Sequence, residues 1–215
     1  MKVIVKNARL SFNDLFTAKV LGKGKPKFSA TLICLDGSDE AGNKTTLTYT
    51  DSNGKKQVAP FEKMTDICNH VLKEKFGKVP AKALNWAYNK ADGSTTRDEY
   101  VNDDGEYWAG FDGETMYISA SKHEERCKGG KMTVLDQHKE PIEVNSGLIF
   151  SGCYVNVVID VYAYDAEEGK GVTASLEGIQ LKKKGEALGI TQIDAQDEFD
   201  EEEIDEEEDD ASDLM

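Results

Sequence analysis

Residues 153–164 read Cys-Tyr-Val-Asn-Val-Val-Ile-Asp-Val-Tyr-Ala-Tyr, and their alternation constrains the fold more than any other stretch of the chain. The odd positions Cys153, Val155, Val157, Ile159, Val161 and Ala163 are all apolar, whereas the even positions Tyr154, Asn156, Val158, Asp160, Tyr162 and Tyr164 are mostly polar. A period of two is that of a β-strand with one buried face. Such a strand needs partners and a cover, and the sequence offers both. Lys2 to Leu10 begins as an alternating strand. Phe28 to Leu35 places Phe28, Ala30, Leu32 and Cys34 on one face. Thr115 to Lys122 sets Met116, Ile118 and Ala120 against Tyr117, Ser119 and Ser121. After the turn Gly169-Lys170-Gly171, Val172 to Leu181 reads as the last strand.

One helix interrupts this pattern. Asn53-Gly54 is a hairpin-turn signal, and Pro60 suits a first helical turn. Phe61, Met64, Ile67, Cys68, Val71, Leu72 and Phe76 then recur at helical spacing, with Gly77 as the stop. A shorter helical or irregular stretch is expected after Pro80, including Trp86 and Tyr88, and residues 91–106 read as loop. Several strands and one amphipathic helix packed on them make the expected class mainly β, a small barrel with an inserted helix.

Charge divides the chain. Its net charge is −15, yet the 22 residues Asp194 to Met215 hold 14 Asp or Glu and no Lys or Arg. Setting those aside leaves 27 acidic against 26 basic residues, a nearly neutral body. A like-charged, apolar-poor segment buries too little to offset its ordering entropy, so the expected units are a folded domain at 1–193 and a disordered acidic tail at 194–215. Such a tail aids solubility, or it imitates a nucleic-acid backbone and competes for a basic groove on its own body. The most basic segment is Met1 to Phe28, with seven basic residues and the single acid Asp14.

Other chemistries find little support. Cys34, Cys68, Cys127 and Cys153 lack paired spacing and read as reduced thiols of a cytoplasmic protein. Cys68 with His70, and His123 with Cys127, have no matching second pair, so no metal is expected. Asp103-Asp104-Gly105-Glu106 lacks a calcium-loop ladder. No nucleophile elbow, P-loop or zincin motif occurs, and the reading is of a protein without catalytic residues or cofactor. No stretch approaches transmembrane length, so no membrane partner is expected.

Aromatic side chains beside lysines suit single strands, because unpaired bases stack on rings while cations follow phosphates. The candidates are Tyr107, Trp108, Tyr117, Tyr154, Tyr162 and Tyr164, with Lys122 and the loop lysines Lys23, Lys25 and Lys27. Each ring taken alone fits core packing better than stacking, and the binding reading rests on their clustering with lysines.

The strings Gly24-Lys25-Pro26-Lys27-Phe28-Ser29-Ala30-Thr31-Leu32, Tyr107-Trp108-Ala109-Gly110 and Met116-Tyr117-Ile118-Ser119-Ala120-Ser121-Lys122 follow one another in the chain. They continue through Ser151-Gly152-Cys153-Tyr154-Val155-Asn156, Tyr162-Ala163-Tyr164, Gly169-Lys170-Gly171-Val172 and Leu176-Glu177-Gly178-Ile179-Gln180. Together they resemble the phage replication single-stranded-DNA-binding proteins. That resemblance implies an OB-type Greek-key barrel with an inserted helix, binding single-stranded DNA without sequence preference in the infected host cell for replication and recombination. It also implies a tail that restrains DNA binding and recruits a replicative polymerase, helicase or recombination protein, here through Asp213, Leu214 and Met215. Family tails commonly end in an aromatic residue, whereas this one ends Leu214-Met215. A homodimer is left open. The rival reading is an acidic DNA mimic that binds basic partners through its tail.

Overall fold

The computed structural model describes residues 1–20, 24–38, 42–80, 86–144, 146–166 and 169–189. Its main body is a ring of five strands. The first, β1 (Lys2–Lys19), pairs antiparallel with β8 (Tyr154–Ala166) along one edge. On its other edge β1 is joined first by β3 (Thr46–Thr50) and then by β2 (Lys27–Cys34). From β2 the ring continues antiparallel to β6 (Met116–His123) and then, by a parallel contact at Ala120 and Ala174, to β9 (Gly169–Lys183). β9 closes onto β8 as a long antiparallel hairpin. The order β1-β2-β6-β9-β8, with one parallel closure, is the expected OB-type barrel connectivity.

The alternation of β8 maps directly onto the barrel. Val155, Val157, Ile159 and Val161 are fully buried, and they meet Val3, Val5, Leu10, Leu32, Ile118 and Leu176 inside. β4 (Lys56–Pro60) extends β3 as a hairpin whose Asp51 carboxylate accepts the Asn53 and Lys55 N–H groups. Gly54 at that turn has a φ of 76°, which the expected Asn-Gly turn requires. α1 (Met64–Phe76) packs Met64, Ile67, Cys68, Val71 and Leu72 inward and lies against β8 and β9. It ends at Gly77, whose φ is 73°. The helix proper begins at Met64 rather than directly after Pro60, because a 3₁₀ turn over Phe61–Lys63 links it to β4. β5 (Tyr88–Lys90) adds to β6, and the two-residue β7 (Val134–Leu135) runs parallel to β9. Among the described residues no helix is long and apolar enough to cross a membrane.

β1 runs well past the expected end at Leu10. It is broken by register shifts between Val5 and Ala8, between Ser11 and Asp14, and between Asp14 and Lys19. Asn7 has a φ of 58° and Phe12 a φ of 38° at these irregularities. Asn7 is held there by Asn156, Lys44 and Lys182, each through a hydrogen bond. These bulges hid the second half of the strand, since they destroy the two-residue period.

Beyond β9, residues 184–189 form a strap across the body. The Leu188 N–H donates to the Ser151 carbonyl at 2.8 Å, and Arg9 Nη2 donates to the Glu186 carbonyl at 3.0 Å. Gly152, with a φ of 117°, makes room for the strap, since a Cβ there would run into the Glu186 carbonyl.

Ile159 is fully enclosed in the ring. Ile159→Ala should therefore cost about 2–5 kcal/mol, read as a lower urea midpoint with little change in slope.

Candidate nucleic-acid interface

The outer face of β2 and β6 is divided in two. At its Ile33 and Tyr117 end, residues 91–115 fold over the sheet and create a second apolar cluster of Ile33, Ala91, Phe111 and Tyr117, with Tyr100, Tyr107 and Leu188 packed against it. The Tyr100 ring lies 4.9 Å from Tyr117 and 4.7 Å from Phe111. Toward Ser29 and Ser121 the sheet stays open, and a groove of about 500 Å³ runs across it.

The groove has a floor of hydroxyl side chains, Ser29, Thr31, Ser119, Ser121 and Thr173. The cations Lys19, Lys27 and Arg97 line it, and so does Asp14. One wall is aromatic. Phe12, 41% exposed, stands edge-on to Trp108 at 5.2 Å and to Tyr100 at 5.6 Å, and Trp108 is itself 41% exposed. Through Arg97, Ser119 and Thr173 the groove continues into a second hollow of about 270 Å³, bounded by Trp86 and Tyr164. Rings at both ends and cations between them form a track on which a flexible, unpaired polyanion could stack and lie.

The residues expected from the sequence are only partly gathered here. Lys27 lines the groove, Trp108 stands on its aromatic wall through Phe12, and Tyr164 borders the adjoining hollow. Tyr162 is 39% exposed and lies opposite Thr173 in the β8–β9 ladder. Tyr154 is half-buried beneath the Lys183 ammonium, 4.2 Å from its ring. The Tyr107 hydroxyl donates to Glu99 at 2.7 Å. Lys25 is paired with Glu125 at 2.9 Å and Lys122 with Glu177, and neither lines the groove. Lys23, Asp213, Leu214 and Met215 lie outside the described residues.

Tyr117 needs correction as an exposed platform. The alternation of β6 does point it outward, but residues 91–115 cover it completely. Burial raises its phenol pKa, and its hydroxyl has no hydrogen-bond partner among the described residues. Phe12, Lys19, Arg97 and Tyr100 also belong to the site, although the sequence pattern does not mark them. Phe12 and Lys19 lie in the bulged half of β1, and Arg97 and Tyr100 lie in a segment that shows no periodicity. The Tyr100 phenol pKa is raised by burial, partly offset by its Thr31 hydrogen bond and by the Arg97 charge.

Residues 1–211 match the family described as Enterobacter phage Enc34, ssDNA-binding protein. The chain belongs to that family. It is a family of binding proteins rather than enzymes. Protein p50 of Acyrthosiphon pisum secondary endosymbiont phage 1 is 29% identical over 201 residues, covering 93% of each chain. The fold resembles the solved single-stranded DNA-binding protein of bacteriophage Enc34, with 20% identity, a TM-score of 0.57, and 93% of this chain and 90% of that one covered. It likewise resembles that protein in complex with ssDNA, at 20% identity and a TM-score of 0.58, over 87% of this chain and 89% of that one.

Two outcomes follow from the buried and paired groups. Tyr117→Phe removes a buried hydroxyl that has no partner, so it should leave thermal stability unchanged or raise it by up to ~1 kcal/mol; a lower melting temperature would count against this account. For Glu177, burial raises the carboxyl pKa, but hydrogen bonds from Lys122 and Ser175 and the Lys122 charge outweigh it and leave the pKa below the usual value. A lowered native pKa means stabilisation above the unfolded-state value that is lost as pH falls through the native one. Unfolding across an acid titration should therefore show Glu177→Gln weaker than the natural chain at neutral pH and converging with it in acid.

Proposed function

We propose that this chain binds single-stranded DNA along the groove, without strong sequence preference, and serves phage DNA replication and recombination. The observation that carries the reading is the exposed Phe12–Trp108 pair standing beside Lys27 and Arg97 over a hydroxyl-lined floor. Bases stack on the rings, phosphates meet the cations, and a closed duplex offers no free base faces to the wall. The proposed contacts are Phe12, Lys19, Lys27, Arg97, Tyr100, Trp108, Tyr162 and Tyr164, with Lys25 and Lys122 on the flanks; Lys23, outside the described residues, joins them from its sequence alone. Membership in a family described as ssDNA-binding supports the same ligand.

The acidic segment is the second part of the proposal, with a body at 1–193 and a tail at 194–215. The strap brings the chain to Gly189 beside Ser151, which also lines the groove, and 26 residues follow. A flexible segment tethered there would keep its carboxylates at an effective concentration of roughly millimolar order near the groove cations. DNA displaces it, and long strands do so better than short ones. The released end, Asp213-Leu214-Met215, then engages a replicative polymerase, helicase or recombination protein. Carboxylates of this kind stay ionised at neutral pH, so the gate answers to salt rather than to protons.

Fluorescence anisotropy of a labelled oligo-dT tests both parts. Phe12→Ala or Trp108→Ala should each lose about 1–3 kcal/mol of binding with little change in salt dependence. Lys27→Ala and Arg97→Ala should each flatten the plot of log affinity against log salt by about 0.7. A chain shortened to residues 1–193 should bind more tightly than the full chain at low salt, the two converging as salt rises. Absence of binding by either form would overturn the single-strand reading and favour the acidic-mimic alternative.

A further inference from the structure

Asp14 is the one carboxylate that lines the groove among the described residues. Its placement is specific. β1 changes register against β2 on both sides of it, between Ser11 and Asp14 and between Asp14 and Lys19. Phe12 lies within the first of these irregularities with a φ of 38°, a left-handed conformation unusual for an aromatic residue. Bulges re-aim side chains, and this one presents a ring and a carboxylate to the same groove.

The carboxylate is fixed rather than free. Lys19 Nζ lies 2.6 Å from Oδ1, and the Ser29 hydroxyl donates to Oδ2 at 3.1 Å. The Asp14 side chain retains 19% exposure. An ionised carboxylate offers about four acceptor sites, so both oxygens can still take a donor from the open side. A negative group held in place repels a phosphate. It attracts an amino group on the edge of a base stacked nearby.

We propose that Phe12 and Asp14 form a base subsite that favours bases bearing an exocyclic amino group over thymine and uracil. The proposal rests on the groove being the DNA site and refines it. Phe12 supplies the stacking face, which accepts any base. Asp14 reads the edge. Cytosine presents its N4 amino group and adenine its N6 amino group, and a carboxylate accepts from either. Uracil and thymine present a carbonyl oxygen at the matching position, and that oxygen repels the carboxylate. Phosphates find donors at Lys27 and Arg97 and none at the Asp14 carboxylate, which fixes which side of the strand faces the ring. The result is a modest preference laid over binding that is otherwise tolerant of sequence.

Oligo-dC and oligo-dU are the cleanest probes, since they differ in the 4-position amino or carbonyl group and the neighbouring N3. Anisotropy at mildly alkaline pH keeps cytosine neutral. The natural full-length chain should bind oligo-dC roughly 3- to 10-fold more tightly than oligo-dU, about the size of one partly exposed charged hydrogen bond. Asp14→Ala should bring that ratio to about one while raising the affinity for oligo-dU, because Lys19 is released and the repulsion is removed. Asp14→Asn keeps the side-chain size, and its amide both donates and accepts. It should narrow the ratio too, and it serves if the alanine variant folds poorly. Lys27→Ala should weaken both probes by the same factor and leave the ratio intact. A ratio of one in the natural chain, or one that survives Asp14→Ala, overturns the subsite. If Lys27→Ala and Phe12→Ala leave DNA affinity untouched, the groove itself is not the site and both readings fall. If they weaken binding while the ratio is one, only the subsite falls.

Discussion

Everything in this molecule depends on β1 serving two neighbours along one edge. Its first residues pair with β3 and its later residues with β2, while β8 holds the opposite edge up to Arg9. A straight strand could not make that exchange and still close the ring. Asn7 absorbs the turn in a left-handed conformation, which asparagine tolerates better than most residues. Its side chain and N–H are then tied to Asn156, Lys44 and Lys182, so the kink carries its own hydrogen bonds. The same need for curvature produces the bulges farther along, and those bulges deliver Phe12 and Asp14 to the groove. Barrel closure and site construction are one event in this strand.

The outer face of β2 and β6 shows how one sheet can be both core and open groove. A face that alternates Ser, Thr and Tyr cannot be stable as a uniformly exposed or uniformly buried layer. Residues 91–115 resolve this by covering the Ile33 and Tyr117 end, where Ala91 and Phe111 add apolar surface. The end floored by Ser29, Ser119 and Ser121 lacks such surface and remains open. At the seam between them, Tyr100 belongs to both regions. It packs on Tyr117 and Phe111 within the cover, and it meets Phe12 on the groove side. The aromatic wall is thus backed by a small core rather than resting on solvent, which holds its rings in place before any ligand arrives.

The barrel was readable because its strands obey a strict period. β8, β6 and β2 fall close to where their alternation placed them, whereas β9 begins earlier than expected, because Gly169-Lys170-Gly171 pairs with β8 instead of forming a turn; the helix from Met64 to Gly77 likewise carries its spacing and its stop in its residues. The groove was legible only in outline. Lys27 and Trp108 could be singled out as basic or aromatic residues in flanking segments. Phe12, Lys19 and Asp14 could not, because a bulge erases the signal that would have extended β1 past Leu10. Arg97 and Tyr100 were hidden for a different reason: their position depends on where an aperiodic segment folds, and local sequence does not encode that. Tyr117 shows the limit from the other side. Its outward direction was right, but a direction does not reveal what packs over it.

Charge pairing limits how many cations near the groove are free to meet a polyanion. Most lysines near the groove are already answered by the body: Lys19 by Asp14, Lys25 by Glu125, and Lys122 by Glu177. Lys27 and Arg97 have no such ion pair among the described residues. Phosphate binding then rests on few free cations, and stacking must supply much of the affinity. Under the proposed gating, that scarcity is what makes the tail effective. Its 14 carboxylates greatly outnumber the cations they need to occupy, so a small tethered charge can govern access to the groove. A body rich in unpaired lysines would bind DNA too strongly for such a tail to matter. On that proposal the neutral body, the paired lysines and the acidic segment act as a single electrostatic arrangement.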